Sequence, residues 1–201
     1  MESEDTGDRP QFAVLVVEDE ANHQMLIRKA LSREGSPFAT VEFTRDSEEA
    51  LRFARQMSFD ALLVDNRIPG TRGLDLLEQL REAGVEAPFV LMTSAGSEDL
   101  VVQAYRKRVA DYVIKDSGFW KELPQVLSRV IRVDRSRRRE RELRARLERT
   151  NDKLEELNAS IRLKNEQIRE HVAALRVAIE ALPRTGRPAL TSIVDDMSAL
   201  L

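Results

Sequence analysis

LLVDNRIPG, residues 62–70, is an apolar run that ends on a carboxylate, Asp65, and turns at once through Pro69 and Gly70. A short continuous apolar run reads as a strand covered on both faces. An acid at the tip of such a strand is costly in a core unless something there needs its charge. The same pattern recurs on either side. FAVLVV (12–17), TVEFT (40–44), DALLV (60–64), PFVLMT (88–93) and DYVIK (111–115) read as five strands. Between them the spacing turns helical. Residues 23–35 carry Met25, Leu26, Ala30 and Leu31 and close at Gly35. Ser47 is placed to cap a helix over 47–57, with Ala50, Leu51 and Ala54 as its stripe. Further helices are expected over 73–83, ending at Gly84, and over 97–107. Five strands alternating with helices predict an α/β fold, a five-stranded doubly wound parallel sheet, whose order would be flavodoxin-like if the winding reverses between the first and third strands. Ligands of such sheets sit at the carboxyl ends of the strands, where the winding reverses.

Composition narrows the function. The 201 residues are 42% hydrophobic, 33% charged and 5% aromatic. That mixture fits one compact domain joined to a long charged helix. Residues 1–120 hold 22 acidic against 14 basic side chains, net −8, and residues 121–201 hold 13 against 18, net +5. The absence of cysteine excludes disulfides, thiolate catalysis and thiolate metal sites. MESEDTGDRP (1–10) reads as a disordered acidic tail rather than a signal peptide. With no membrane-length apolar run, a cytoplasmic protein is expected.

The second half is of another kind. Beyond Pro124, which a helix tolerates only in its first turn, no Gly or Pro occurs before Pro183. A helix from about residue 120 would be about 90 Å long and would need a partner along its length. Leu147, Leu154, Ile161, Ile168, Leu175 and Leu182 recur every seventh residue, with Leu143, Leu157 and Ala178 on the companion row. Thr150, Lys164 and His171 interrupt that row. This is a coiled-coil pattern in which Leu143, Leu147, Leu154, Leu157, Ile161, Ile168, Leu175 and Leu182 form a homodimer interface. The expected organisation is a tail over 1–10, a domain over 11–130, and a coiled coil over 131–182 continuous with the domain's last helix. A turn at PRTGRP (183–188) and a short helix over 189–201 complete it.

If the winding reverses between the first and third strands, Glu18 and Asp19 converge with Asp65. Clustered carboxylates repel unless a cation neutralises them, and a hard ion with oxygen ligands, Mg²⁺, fits. Thr93 and Lys115, at the ends of the fourth and fifth strands, offer a hydroxyl and an ammonium suited to hold a phosphoryl group on Asp65. Glu20 reads as part of the acidic turn into the first helix, and His23 as an exposed helix residue.

VVEDE, LLVDNRIPGTRGLDLL, VLMTSAG and ADYVIKD, in this order and spacing, make the chain resemble the receiver domain of bacterial two-component response regulators over about residues 11–130. The resemblance implies that Asp65 accepts phosphate from a sensor histidine kinase or phosphotransfer protein. It implies that Glu18, Asp19 and the backbone carbonyl of Arg67 help Asp65 ligate Mg²⁺. Thr93 and Tyr112 become the switch pair, and Pro69 and Gly73 match the loop signature. Two positions depart from the family pattern. Asp116 follows Lys115 where proline is usual, and Arg108 stands where the end of the fourth helix favours glycine. A positive φ would strain an arginine, so a different helix end is expected there.

The helical half admits two rival readings. His171 could be the phosphoacceptor of a kinase hairpin, but it falls on a core heptad position and is followed by HVAAL, so a register-fixing role is favoured. RSRRRERELRARLER (135–149) holds eight arginines, yet its three glutamates dilute a basic-zipper signal, and nucleic acid is disfavoured as a partner. The expectation is a phosphorelay response regulator, not an enzyme beyond its own phosphorylation and dephosphorylation. It signals to an unidentified downstream protein through a dimeric coiled coil. The alternative is the regulatory part of a longer protein whose cyclase, phosphatase or kinase domain lies past Leu201.

Overall fold

A computed structural model describes residues 11–94, 98–181 and 190–195. The main sheet comprises β1 (Phe12–Val17), β2 (Phe38–Thr44), β3 (Ala61–Asp65), β6 (Phe89–Thr93) and β7 (Asp111–Ile114). Its order is β2-β1-β3-β6-β7, and every neighbouring pair is parallel. This is the doubly wound sheet that the alternation of strand and helix patterns predicts. A two-residue antiparallel ladder of β4 (Arg67–Ile68) and β5 (Thr71–Arg72) closes the turn after Asp65.

The central strands alternate sides residue by residue, which fixes their register. Val14, Val16, Leu63, Val90 and Met92 join one core with Ile27 and Leu31 of α1 (Ala21–Leu31) and Leu123, Leu127 and Ile131 of α5 (Leu123–Glu180). Leu15, Val17, Leu62, Val64 and Leu91 join the other, against α2 (Ser47–Gln56), α3 (Gly73–Glu82) and α4 (Glu98–Arg106). Each such side chain contributes about 1.5–3 kcal/mol of burial, enough to hold a costly polar rim in place.

Local details correct several expectations. Ile27, Ala30 and Leu31 are the buried face of α1, while Met25 is exposed. The apolar i, i+3, i+4 set that meets the sheet thus starts two residues later than predicted. Ser32 caps that helix, and Gly35 serves the following turn with φ 76°. Asp46, not Ser47, caps α2: its Oδ1 accepts from Glu49 N at 2.9 Å. A 3-10 turn, Phe119–Lys121, precedes α5, so Pro124 occupies its second residue.

The end of α4 also differs from expectation. Arg108 keeps a positive φ of 51° despite its side chain. Arg108 N bonds Tyr105 O and Val109 N bonds Ala104 O, the same pair of bonds that Gly84 and Val85 make at the end of α3. The guanidinium of Arg81 donates to the carbonyls of Lys107 and Arg108 at 2.6 and 3.1 Å, which holds the strained end closed.

The chain divides between Arg138 and Arg139 into two units. Within the first, Arg135 and Arg138 tie α5 to residues near the amino ends of the strands: Asp60, and the Glu86 carbonyl together with its carboxylate. Within the second, Leu143, Leu147, Leu154, Leu157, Ile161, Ile168 and Leu175 stand 40–62% exposed in the single chain. Val172 and Val194 are buried there, and Arg176 pairs with Asp195 of the helical segment 190–195. His171 is exposed. Leu182, the turn at 183–188 and most of the expected helix over 189–201 lie outside the described residues. No helix among the described residues is long and apolar enough to cross a membrane.

Candidate functional site

The winding reverses between β1 and β3, and the carboxyl ends of four strands meet there. Glu18 directly follows β1 and is wholly buried, with its amide bonded to Thr44 O at 3.0 Å. Asp65 closes β3 at 5% exposure, and Thr93 closes β6, also buried. Lys115 follows β7, its amide bonded to Thr93 O at 2.7 Å.

Lys115 is the cation that makes the buried acids tolerable. Its Nζ lies 2.6 Å from Asp65 Oδ2 and 3.0 Å from Glu18 Oε2. Burial alone would push its pKa down. The hydrogen bonds to Asp65 and Glu18 and the field of both carboxylates outweigh that and hold it above the usual lysine range. Asp65 Oδ1 accepts from Arg67 N at 3.2 Å, and the Arg67 guanidinium reaches Ser94 Oγ at 2.9 Å.

Gly73 sets how closely α3 approaches this corner. A Cβ there would lie 2.6 Å from the backbone Asp65 O, closer than real Cβ atoms come, and a tight 3.0 Å from Leu91 Cδ1. Its amide also bonds Asn66 O at 2.9 Å. The glycine is required by a close backbone approach rather than by a positive φ.

Carboxylate oxygens of Glu18, Asp19 and Asp65 all lie within 4.8 Å of one another. Three carboxylates against one ammonium leave two negative charges in the pocket. A hard dication with oxygen donors matches that deficit, and Mg²⁺, which keeps several waters, suits a site open on the Asp19 side.

Among the other residues singled out from the sequence, Arg67 contributes its amide at the pocket, while Tyr112 stands 43% exposed on the edge strand β7. Beyond Thr93 a cavity of about 360 Å³ is lined by Asn66, Arg67, Arg72, Ser94 and Gln103, among others. His23 departs from its sequence reading: it is half-buried at the pocket. Its Nδ1 lies 3.3 Å from Glu18 Oε1, 3.1 Å from Glu20 Oε2 and 3.3 Å from Lys115 Nζ. The three-residue spacing of Glu20 and His23, one helical turn, was the available signal.

At the switch point of the doubly wound sheet a buried carboxylate faces an ammonium and two further acids. Residues 14–126 match the model of the response regulator receiver domain, and the chain belongs to that family. It is similar to the two-component response regulator PhoP of Pseudomonas aeruginosa, 34% identical over 59% of this chain and 51% of that protein. It is similar also to the probable methanogenesis regulatory protein FilR2 of Methanothrix harundinacea, 32% identical over 57% of this chain and 81% of that one. The signal receiver domain of an HD domain-containing protein from Pseudomonas fluorescens superposes with a TM-score of 0.57 at 20% identity, covering 65% of this chain and 93% of the other. The chain spans 26–51% of the length of the first curated relatives it matches.

Proposed function

We propose that Asp65 is the phosphoacceptor of a two-component relay and that α5 carries the output to a second copy of the chain. The observation that supports the first part is the Lys115 ammonium, 2.6 Å from the Asp65 carboxylate in a pocket of further acids. Glu18, Asp19 and Asp65, with the backbone carbonyl of Arg67, would hold Mg²⁺. Bound there, the ion neutralises the approach of one anion to another. The donor is a phosphohistidine of a sensor kinase or phosphotransfer protein. An Asp65 oxygen attacks phosphorus, the P–N bond breaks, and the imidazole nitrogen leaves with the electron pair and takes a proton. Lys115 then holds a product oxygen, and the Thr93 hydroxyl turns to another. Tyr112 follows Thr93 inward and changes the surface around β7. No chemistry beyond this phosphorylation and its hydrolysis is assigned to the chain, and the cytoplasm is its place of action.

The first part is tested by incubating the wild type and Asp65→Asn with Mg²⁺ and a small-molecule phosphodonor, followed by intact-mass measurement. One phosphoryl adduct on the wild type and none on Asp65→Asn is expected; an adduct on both refutes the assignment. The second part rests on the exposed heptad row from Leu143 to Leu175. Sedimentation with Mg²⁺, with and without beryllofluoride, reads it. A dimer in either state supports it, and a monomer in both removes the coiled coil.

A further inference from the structure

Glu18 turns one oxygen, Oε2, toward Lys115. The other oxygen faces a different partner. Glu18 Oε1, Glu20 Oε2 and His23 Nδ1 converge, the last 3.3 and 3.1 Å from the two oxygens. Donors bound about 2.1 Å from one ion lie about 3.0 Å apart along an octahedral edge and about 3.4 Å apart along a tetrahedral one. Both separations from the imidazole nitrogen fall between those edges, and all three donor atoms lie within 4.8 Å of one another, close enough to share a single metal ion.

We infer that Glu18, Glu20 and His23 form a second cation site, for a first-row transition dication such as Mn²⁺ or Zn²⁺. The inference rests on the reading of the neighbouring acidic pocket as the Mg²⁺ site. Imidazole is the discriminating donor, since nitrogen suits transition dications and Mg²⁺ takes oxygens. Glu20 is the extended N-cap residue of α1 and His23 lies in its first turn, so the start of the helix brings the two side chains together.

The donors are held before any ion arrives. Glu18 is wholly buried, its carbonyl accepts from Gln24 Nε2 at 2.5 Å, and its Oε1 accepts from Glu20 N at 3.3 Å. The His23 ring stands edge-on to Phe119, centroids 5.4 Å apart at 88°. Supporting contacts of this kind fix ligand orientation. One group opposes the ion: Lys115 Nζ, 3.3 Å from His23 Nδ1. Its shorter contacts are to Asp65 and to the far oxygen of Glu18, so the ion displaces only the contact with His23. Because both sites share Glu18, an ion in one weakens binding at the other, and linkage makes the two effects equal. A transition dication at His23 therefore lowers the affinity of the acceptor pocket for Mg²⁺.

The chain has two histidines, His23 and His171, so a nitrogen signal is assignable. Pulsed electron paramagnetic resonance of Mn²⁺ added to Mg²⁺-saturated protein reads the metal's ligands directly. The expected result is a ¹⁴N coupling from imidazole in the wild type and in His171→Ala, absent in His23→Ala. Mn²⁺ affinity should fall at least about tenfold in His23→Ala. Glu20→Gln, at a side chain 53% exposed and so safe for folding, should weaken Mn²⁺ in the same way. No ¹⁴N coupling in the wild type, coupling retained in His23→Ala, or Glu20→Gln binding Mn²⁺ as tightly as the wild type overturns the site. Asp65→Asn separates the two readings: it abolishes the phosphoryl adduct while the ¹⁴N coupling stays. A wild type that takes no phosphoryl group yet shows the coupling refutes the relay and leaves the metal site standing.

Discussion

Arg135 on α5 donates from Nε and Nη2 to one oxygen of Asp60, at 3.0 and 2.7 Å, while the other oxygen of Asp60 accepts from Ala13 N at 2.9 Å. The guanidinium also lies 4.8 Å from the centre of the Phe12 ring. One carboxylate thus joins β1, the start of β3 and the fourth turn of α5.

The two partners should not be equivalent on mutation. Arg135→Ala removes a half-exposed ion pair and a ring contact and should cost about 1 kcal/mol. Asp60→Ala also strips the Ala13 amide of its acceptor and should cost about 2 kcal/mol. Urea denaturation of the two variants reads the difference, and equal losses would show that the Ala13 bond contributes nothing.

Lys115→Met leaves Glu18 and Asp65 buried with no ammonium between them. Without divalent ions the variant should lose about 3–5 kcal/mol. Millimolar Mg²⁺ should restore more stability to it than to the wild type, because the ion then supplies the missing charge. Thermal melts with and without Mg²⁺ test both points.

The pH dependence of this pocket follows from the direction of the Lys115 shift. A lysine held above its ordinary pKa stabilises the fold fully at pH below the unfolded-state value, about 10.4. That contribution is lost as pH rises through the higher folded value. The stability difference between wild type and Lys115→Met should therefore be flat from about pH 7 to 9 and shrink only above about pH 10.5. A difference that falls between pH 7 and 9 would contradict the raised value.

Gly73→Ala places a methyl group 2.6 Å from the Asp65 carbonyl, and backbone cannot yield as a side-chain tip can. A loss of about 1–3 kcal/mol is expected, with slower phosphorylation because Asp65 must shift. Chemical denaturation paired with the intact-mass time course separates the two effects.

At Arg108 the comparison is glycine against alanine. Both remove the side chain, and only glycine relieves the φ of 51°. Arg108→Gly should be more stable than Arg108→Ala by about 1 kcal/mol. Equal melting temperatures would place the relief in the bonds from Arg81.

The three central strands were legible because each is a run of buried apolar residues bounded by turn signals, while β2 and β7, on the sheet's edges, are less buried; Glu18, Asp65, Thr93 and Lys115 follow from the strand ends. What the sequence hid was set by tertiary contact. Met25 is as apolar as Ile27, and only the sheet decides which of them faces inward. The two-residue ladder β4–β5 carries no periodicity to read. Arg108 looked incompatible with a left-handed helix end, since the guanidinium of Arg81 that closes it comes from an element 27 residues away. His23 looked exposed because its neighbours, Lys115 and Phe119, come from the far end of the domain sequence.

Strand β1 has the acidic pocket at one end, through Glu18, and the fourth turn of α5 at the other, through Phe12 and Arg135. Six residues at about 3.3 Å each put those ends about 20 Å apart. All of the six but Ala13 are buried, and parallel partners flank the strand on both sides. The protein has in effect a gauge bar between its acidic pocket and its main helix, buried and paired along both edges. If Asp65 takes a phosphoryl group as proposed, the change it makes would travel through the helices and loops that hang from that bar.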